Sequence, residues 1–251
     1  MAERGTGTLY AGTSGFAYPA WSPVFYPPGT RAEDLLRFYA GRFAACELNN
    51  TFYQRPTEAK VRAWLAATPT DFRFSVKGQR GATMRALLQD AAGSVAWLVE
   101  SMRLFGDRLG TVLYRVPADV KRNDEALAAL IAAWPRDVPL TMEFQDPSWL
   151  IDEVLDPLRA FGAAVCATDL DENAEPPSLH LTGSFLYVRL RRTSYSEADL
   201  ATWAARLAPF LDAGHDVFAF FKHDDVGDAT RYAHGLMKAT HGILREANAP
   251  V

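Results

Sequence analysis

Between Cys46 and Tyr53 the chain reads Cys-Glu-Leu-Asn-Asn-Thr-Phe-Tyr. With a period of two, Cys46, Leu48 and Asn50 face one way and Glu47, Asn49 and Thr51 the other. The flanking sequence is apolar, so both faces of this strand are expected to be enclosed. A buried carboxylate without partners is very costly. A row of carboxylate, amide and hydroxyl therefore belongs inside a barrel, near its open end.

The same alternation marks eight strands: Leu9–Ser14, Ala45–Thr51, Phe72–Lys77, Thr111–Val116, Leu140–Gln145, Ala163–Asp169, Phe185–Arg191 and Val217–His223. Between most of them the apolar spacing switches to 3.6. Leu35, Leu36, Tyr39 and Phe43 form one stripe. Val61, Trp64 and Leu65 form the next, after a capping Thr57. Leu87 through Val95, Leu98 and Met102 to Phe105 reads as one long helix. Leu127, Leu130, Ile131 and Trp134 follow Asn123, a good N-cap. Val154, Leu155, Leu158 and Phe161 end at Gly162. Leu200, Trp203, Leu207 and Phe210 follow Ser196, and Tyr232, Leu236, Ile243 and Leu244 make the last stripe. The stretch 171–183 holds Pro176 and Pro177 and no stripe, so the sixth helix is expected to be missing or reduced to a loop. Strand and helix thus alternate at roughly 31 residues per repeat, the count and spacing of a (β/α)8 TIM-like barrel. A doubly wound open sheet competes, but Gly12-Thr13-Ser14-Gly15 is not its Gly-rich phosphate fingerprint. No linker or repeat is visible, and the expectation is one domain over residues 1–251.

Composition changes this picture little. The 251 residues are 49% hydrophobic and 22% charged, as in ordinary globular proteins. A net charge of −4 offers no global attraction to nucleic acid or anionic membranes. No apolar run approaches the roughly 20 residues of a membrane helix, and the first residues lack the apolar core of a secretory signal. Cys46 and Cys166 lie far apart in apolar strands and read as reduced core thiols of a cytoplasmic protein.

Charge becomes informative once it is placed on the strands. The inward sets are Arg73, Ser75 and Lys77 on the third, Thr141, Glu143 and Gln145 on the fifth, and Tyr187, Arg189 and Arg191 on the seventh. Residues at the C-terminal ends of barrel strands surround the active site in this fold. Here they are Glu47, Asn49, Lys77, Arg115, Glu143, Gln145, Asp169, Arg189, Arg191, Lys222, His223 and Asp224, with five cations against four carboxylates. A slightly cationic cup in an acidic protein points to an anion site. The competing reading is that these charges pair with one another and fill the barrel.

At this point the residues resemble the YecE-like family, domain of unknown function 72, nearly end to end. Gly12-Thr13-Ser14-Gly15-Phe16 with Tyr18, Trp21 and Phe25-Tyr26-Pro27 is similar to the family's opening motif. Glu47-Leu48-Asn49-Asn50-Thr51-Phe52-Tyr53 is similar to its most specific signature. Phe72-Arg73-Phe74 with Lys77, Glu143-Phe144 with Ser148-Trp149, and Tyr187-Val188-Arg189 resemble later blocks. The resemblance implies a TIM-like barrel and supplies no activity. The chain departs from the pattern at the site. Met84 follows Thr83 where the family has His, Arg115 replaces Gln, and Gln145-Asp146 replace Arg-His. Arg191-Arg192 replace His-Gly, and Lys222-His223 replace an Asn-Asn-like pair. Imidazoles are lost and fixed cations gained.

The leading expectation is a phosphorylated or otherwise anionic small molecule or nucleotide at the C-terminal rim. Asn49, Lys77, Arg115, Gln145, Asp169, Arg189, Arg191, Lys222 and His223 would bind it. Glu47 or Glu143 would be the general base of a hydrolase. One alternative is a glycoside hydrolase using Glu47 and Glu143, whose carboxyls would stand about 5 Å apart in a retaining enzyme. Another is a nucleic-acid-binding module without turnover, tracking phosphates with Arg191-Arg192, Lys77, Arg80 and Arg85. No cofactor is expected. A divalent ion on Glu47, Glu143, Asp169, His223 and Asp224 is disfavoured by the surrounding cations. No membrane partner is expected, and the oligomeric state is open.

Overall fold

The computed structural model describes residues 6–170 and 175–247. All eight expected strands form: β1 Leu9–Thr13, β2 Ala45–Leu48, β3 Arg73–Lys77, β4 Leu109–Val116, β5 Leu140–Phe144, β6 Ala164–Asp169, β7 Phe185–Leu190 and β8 Asp216–Phe221. Among the described residues the helices are α1 Leu35–Ala40, α2 Glu58–Ala66, α3 Arg80–Leu88, α4 Ala91–Met102, α5 Asp124–Ala133, α6 Asp152–Phe161, α7 Glu197–Asp212 and α8 Asp228–Ala247. The strands lie in one sheet of order β1-β8-β7-β6-β5-β4-β3-β2, and the fold is (β/α)8, TIM-like. No helix links β6 to β7 among the described residues, as the proline pair predicts; positions 171–174 of that stretch lie outside the described residues.

The chain forms two compact units with interleaved segments. The first comprises Met1–Cys46, Ala167–Leu179 and Phe185–Val251. In it β8 pairs with β1 from Leu9↔Val217 to Thr13↔Phe221, and with β7 from Phe185↔Asp216 to Leu190↔Phe221. Gly12 is required by packing, because a Cβ there would meet the Ala45 carbonyl oxygen at 2.4 Å. The buried Tyr39 hydroxyl sits beside it, accepting from Thr13 N at 2.8 Å and donating to Ala45 O at 3.1 Å. α7 starts in a capping box between Ser196 and Asp199. The carboxylate of Asp224 accepts from the backbone N–H groups of Val226, Gly227, Asp228 and Ala229, and so closes the start of α8.

The second unit comprises Glu47–Cys166 and His180–Ser184. Here β4 pairs with β3 and β5, and Arg115 stands in register with Glu143. Thr57 and Asn123 cap α2 and α5 as expected, accepting from Lys60 N and Ala126 N. Gly162 ends α6 with φ +87°, the left-handed conformation that a side chain disfavours. Both cysteines are buried and neither forms a disulfide.

Two expectations need correction. The stripe read as one long helix is broken: α3 ends at Leu88, and Asp90, extended at φ −142°, caps α4 by accepting from Gly93 N at 3.0 Å. The second strand stops at Leu48, not Thr51, and Asn50–Phe52 form a 3-10 turn. Thr51 causes the stop. Its hydroxyl lies 2.8 Å from Leu48 O and 2.7 Å from Lys77 O, satisfying carbonyls at the strand end. Alternation therefore does not carry past Leu48, and Asn50 is exposed.

Candidate functional site

The expected site residues fall into two groups, one in each unit. The second unit holds Glu47, Asn49, Lys77, Arg115, Glu143 and Gln145. β2 and β5 place Glu47 and Glu143 at 0% and 1% exposure, while Lys77 is buried at the end of β3. The Lys77 ammonium lies 4.5 Å from the centre of the Phe52 ring. Arg115 reaches further out. Its Nη2 donates to the exposed Gln145 Oε1 at 2.7 Å, and its Nε lies 3.9 Å from Glu143 Oε2. In this group two cations meet two buried carboxylates, and charge is balanced. A cleft of about 330 Å³ opens beside it, lined by Phe52, Arg80, Thr83, Met84, Arg115 and Asp119. Asn49 is half-buried at the turn after β2, outside that lining.

The first unit holds Asp169, Arg189, Arg191, Lys222 and His223. Arg189 is 2% exposed on β7, and Arg191 N–H donates to Asp169 O at 2.9 Å just beyond the strand. A cleft of about 340 Å³ lies at the ends of β7 and β8. Arg192, Thr193, Tyr195, Lys222, His223 and Asp225 line much of it. Of the carboxylates near it, Asp225 lines the cleft without an ion pair among the described residues, whereas Asp224 and Asp169 are engaged. Asp224 is held by four backbone N–H groups of the α8 start. Asp169 is fully buried and accepts from Arg192 Nε at 3.0 Å, Tyr195 OH at 3.1 Å and Trp203 Nε1 at 3.1 Å. Lys222 makes no ion pair among the described residues. His223 stacks on Tyr18 with ring centroids 4.7 Å apart. Partial burial, and then the charges of Arg191 and Lys222, push its imidazole below the ordinary histidine range against the opposing pull of Asp224 and Asp225.

Sequence reasoning named Arg192, next to Tyr195, only as a phosphate-tracking residue of the nucleic-acid alternative, and missed Trp203 as a site residue. The signal for Arg192 was its place just past a strand end, in the loop where this fold carries its ligands. Nothing in the sequence aims Trp203, on the apolar stripe of α7, at a carboxylate. Among the described residues no group of three His, Cys, Asp or Glu side chains is arranged to hold a metal ion. No described helix is long and apolar enough to cross a membrane.

Eight parallel strands with charged clusters at their C-terminal ends define the class, a (β/α)8 barrel protein. The family model described as "Protein of unknown function DUF72" matches residues 10–250, and the chain belongs to that family. It is similar to the UPF0759 protein YunF of Bacillus subtilis (strain 168), 24% identical over 241 residues, which cover 81% of this chain and 86% of that protein. Two solved structures share the fold. A DUF72 family protein from Thermotoga maritima MSB8 superposes with a TM-score of 0.75 at 24% identity, over 93% of this chain and 99% of that one. Another from Enterococcus faecalis V583 gives 0.77 at 18% identity, over 93% of this chain and 96% of that one.

Proposed function

We propose that the protein binds an anionic, phosphorylated small molecule or nucleotide in the cleft at the ends of β7 and β8. One observation carries this reading. The carboxylates Asp169 and Asp224 are engaged by internal donors, whereas Lys222 lines the cleft without an ion pair among the described residues. An exposed ammonium beside a guanidinium on a concave wall offers donors to an anion, in competition with the Asp225 carboxylate on the same lining. The second unit supports the reading by contrast. There Glu47 and Glu143 are buried and the nearby cations balance them, which suits ion pairing within the fold better than acid–base chemistry on a ligand.

Calorimetric titration with inorganic phosphate, a sugar phosphate, a nucleotide and a neutral sugar tests the proposal. The phosphorylated ligands are expected to bind and the neutral sugar not. Lys222→Ala is expected to weaken binding about tenfold, as for the loss of one charge-assisted hydrogen bond. At 100 times its dissociation constant a ligand should also stabilise the fold by about 2.7 kcal/mol. Equal affinity in wild type and variant would place the anion elsewhere. Tight binding of a single-stranded oligonucleotide with a steep salt dependence would favour the nucleic-acid reading instead.

A further inference from the structure

Arg192 is held in an unusually complete way for a residue half-buried in a loop. Its Nε lies 3.0 Å from the Asp169 carboxylate, and its Nη1 lies 3.4 Å from Asp199 Oδ1. Its backbone N–H donates to Tyr195 OH at 3.2 Å, and that hydroxyl itself donates to Asp169 Oδ2. The guanidinium also sits 5.8 Å from the Tyr195 ring centre. Nη2 makes no hydrogen bond to protein among the described residues. Nε and Nη1 are thus engaged while Nη2 keeps its donors, and Arg192 is part of the cleft wall.

Asp169 is the common element. It is absent from the lining of the cleft and fully buried, so it does not touch a ligand there. Trp203 Nε1 on α7 and the Tyr195 hydroxyl hold its carboxylate in place, which fixes in turn the direction from which it takes Arg192 Nε. An arginine ordinarily loses rotamer entropy when it clamps a ligand, and one held beforehand loses less. We infer that Asp169 is a positioning residue that presents Arg192 to a phosphoryl group, Nη2 of Arg192 and the Lys222 ammonium supplying the donors. The group is that of a phosphate monoester or of free phosphate. This inference rests on the anion reading of the β7–β8 cleft.

The test is a double-mutant cycle on affinity, with inorganic phosphate and glycerol phosphate as separate probes. Arg192→Gln is expected to weaken the tighter probe about tenfold, and Asp169→Asn to weaken it about fivefold through loss of orientation. In the Arg192→Gln background, Asp169→Asn is expected to change affinity less than about twofold, because its effect passes through the missing guanidinium. Tyr195→Phe removes the hydroxyl linking the two residues and is expected to give an intermediate loss, which keeps the test alive if Asp169→Asn folds poorly. If Asp169→Asn and Tyr195→Phe lower only the melting temperature and leave affinity unchanged, the positioning role is overturned while the anion site stands. If the two losses simply add in the double variant, the role is likewise overturned. If wild type binds neither probe, the anion reading and this inference fail together.

Discussion

At the residue scale, His223 is a group in the β7–β8 cleft whose protonation its surroundings disfavour. Its partial burial against Tyr18 and the nearby Arg191 and Lys222 hold its pKa below the ordinary value of 6.5. Protonation is therefore more favourable in the unfolded chain. The stability this represents is fully present above pH 6.5 and is lost as pH falls from there towards the folded value. A bound phosphate would reverse the electrostatics by offsetting the two cations, and so would raise the pKa. A proton NMR titration of His223 is expected to show a midpoint below 6.5, moving upward with saturating phosphate. A midpoint that phosphate leaves in place would mean that the anion does not sit beside this ring.

At the element scale, the join between α3 and α4 shows how one polar residue cuts a continuous apolar stripe. Leu87, Val95, Leu98 and Met102 are all buried, so the spacing alone reads as one helix. Asp90 instead takes an extended conformation and caps α4. Asp90→Ala is expected to cost about 1 kcal/mol in urea unfolding, with an unchanged denaturant slope. A gain in stability would show that the two helices prefer to fuse and that the break belongs to Asp90 alone. The other boundaries were legible where chemistry marks them, as with Thr57, Asn123, Ser196 and Gly162. The eight strands were legible because their apolar faces recur so regularly between helical stripes. The end of β2 was not, because the Thr51 hydroxyl bonds to Lys77 O, far away in sequence. The direction of Asp169 was hidden for a related reason. Both faces of β6 are apolar, so period two could not say whether the carboxylate turned towards a ligand or towards Trp203 and Arg192.

At the scale of the whole molecule, a net charge of −4 places several carboxylates on the surface, and their pairing sets the acid limb of stability. Asp124 beside Arg122, Asp137 beside Arg103 and Asp199 bonded to Ser196 are all held below the usual carboxylate range. Such exposed pairs contribute little individually. Asp146 lies lowest, at about 2, because Lys121 and then Ser148 donate to it. It also caps the turn Pro147–Trp149, whose Trp149 is buried and stacks on Phe144, and so links the loop after β4 to the end of β5. With the folded pKa below the unfolded one, this contribution is complete above pH 3.8 and disappears as pH falls from there to about 2. Asp146→Asn retains an oxygen for the Ser148 N–H but loses the charge facing Lys121. The variant is expected to melt lower than wild type at neutral pH, with a gap that narrows steadily between about pH 4 and about pH 2. A gap of constant size across that window would assign the loss to the turn's hydrogen bonds alone. A gap that closes would assign it to the ion pair, and would identify Asp146 as one carboxylate through which acid unfolds this barrel.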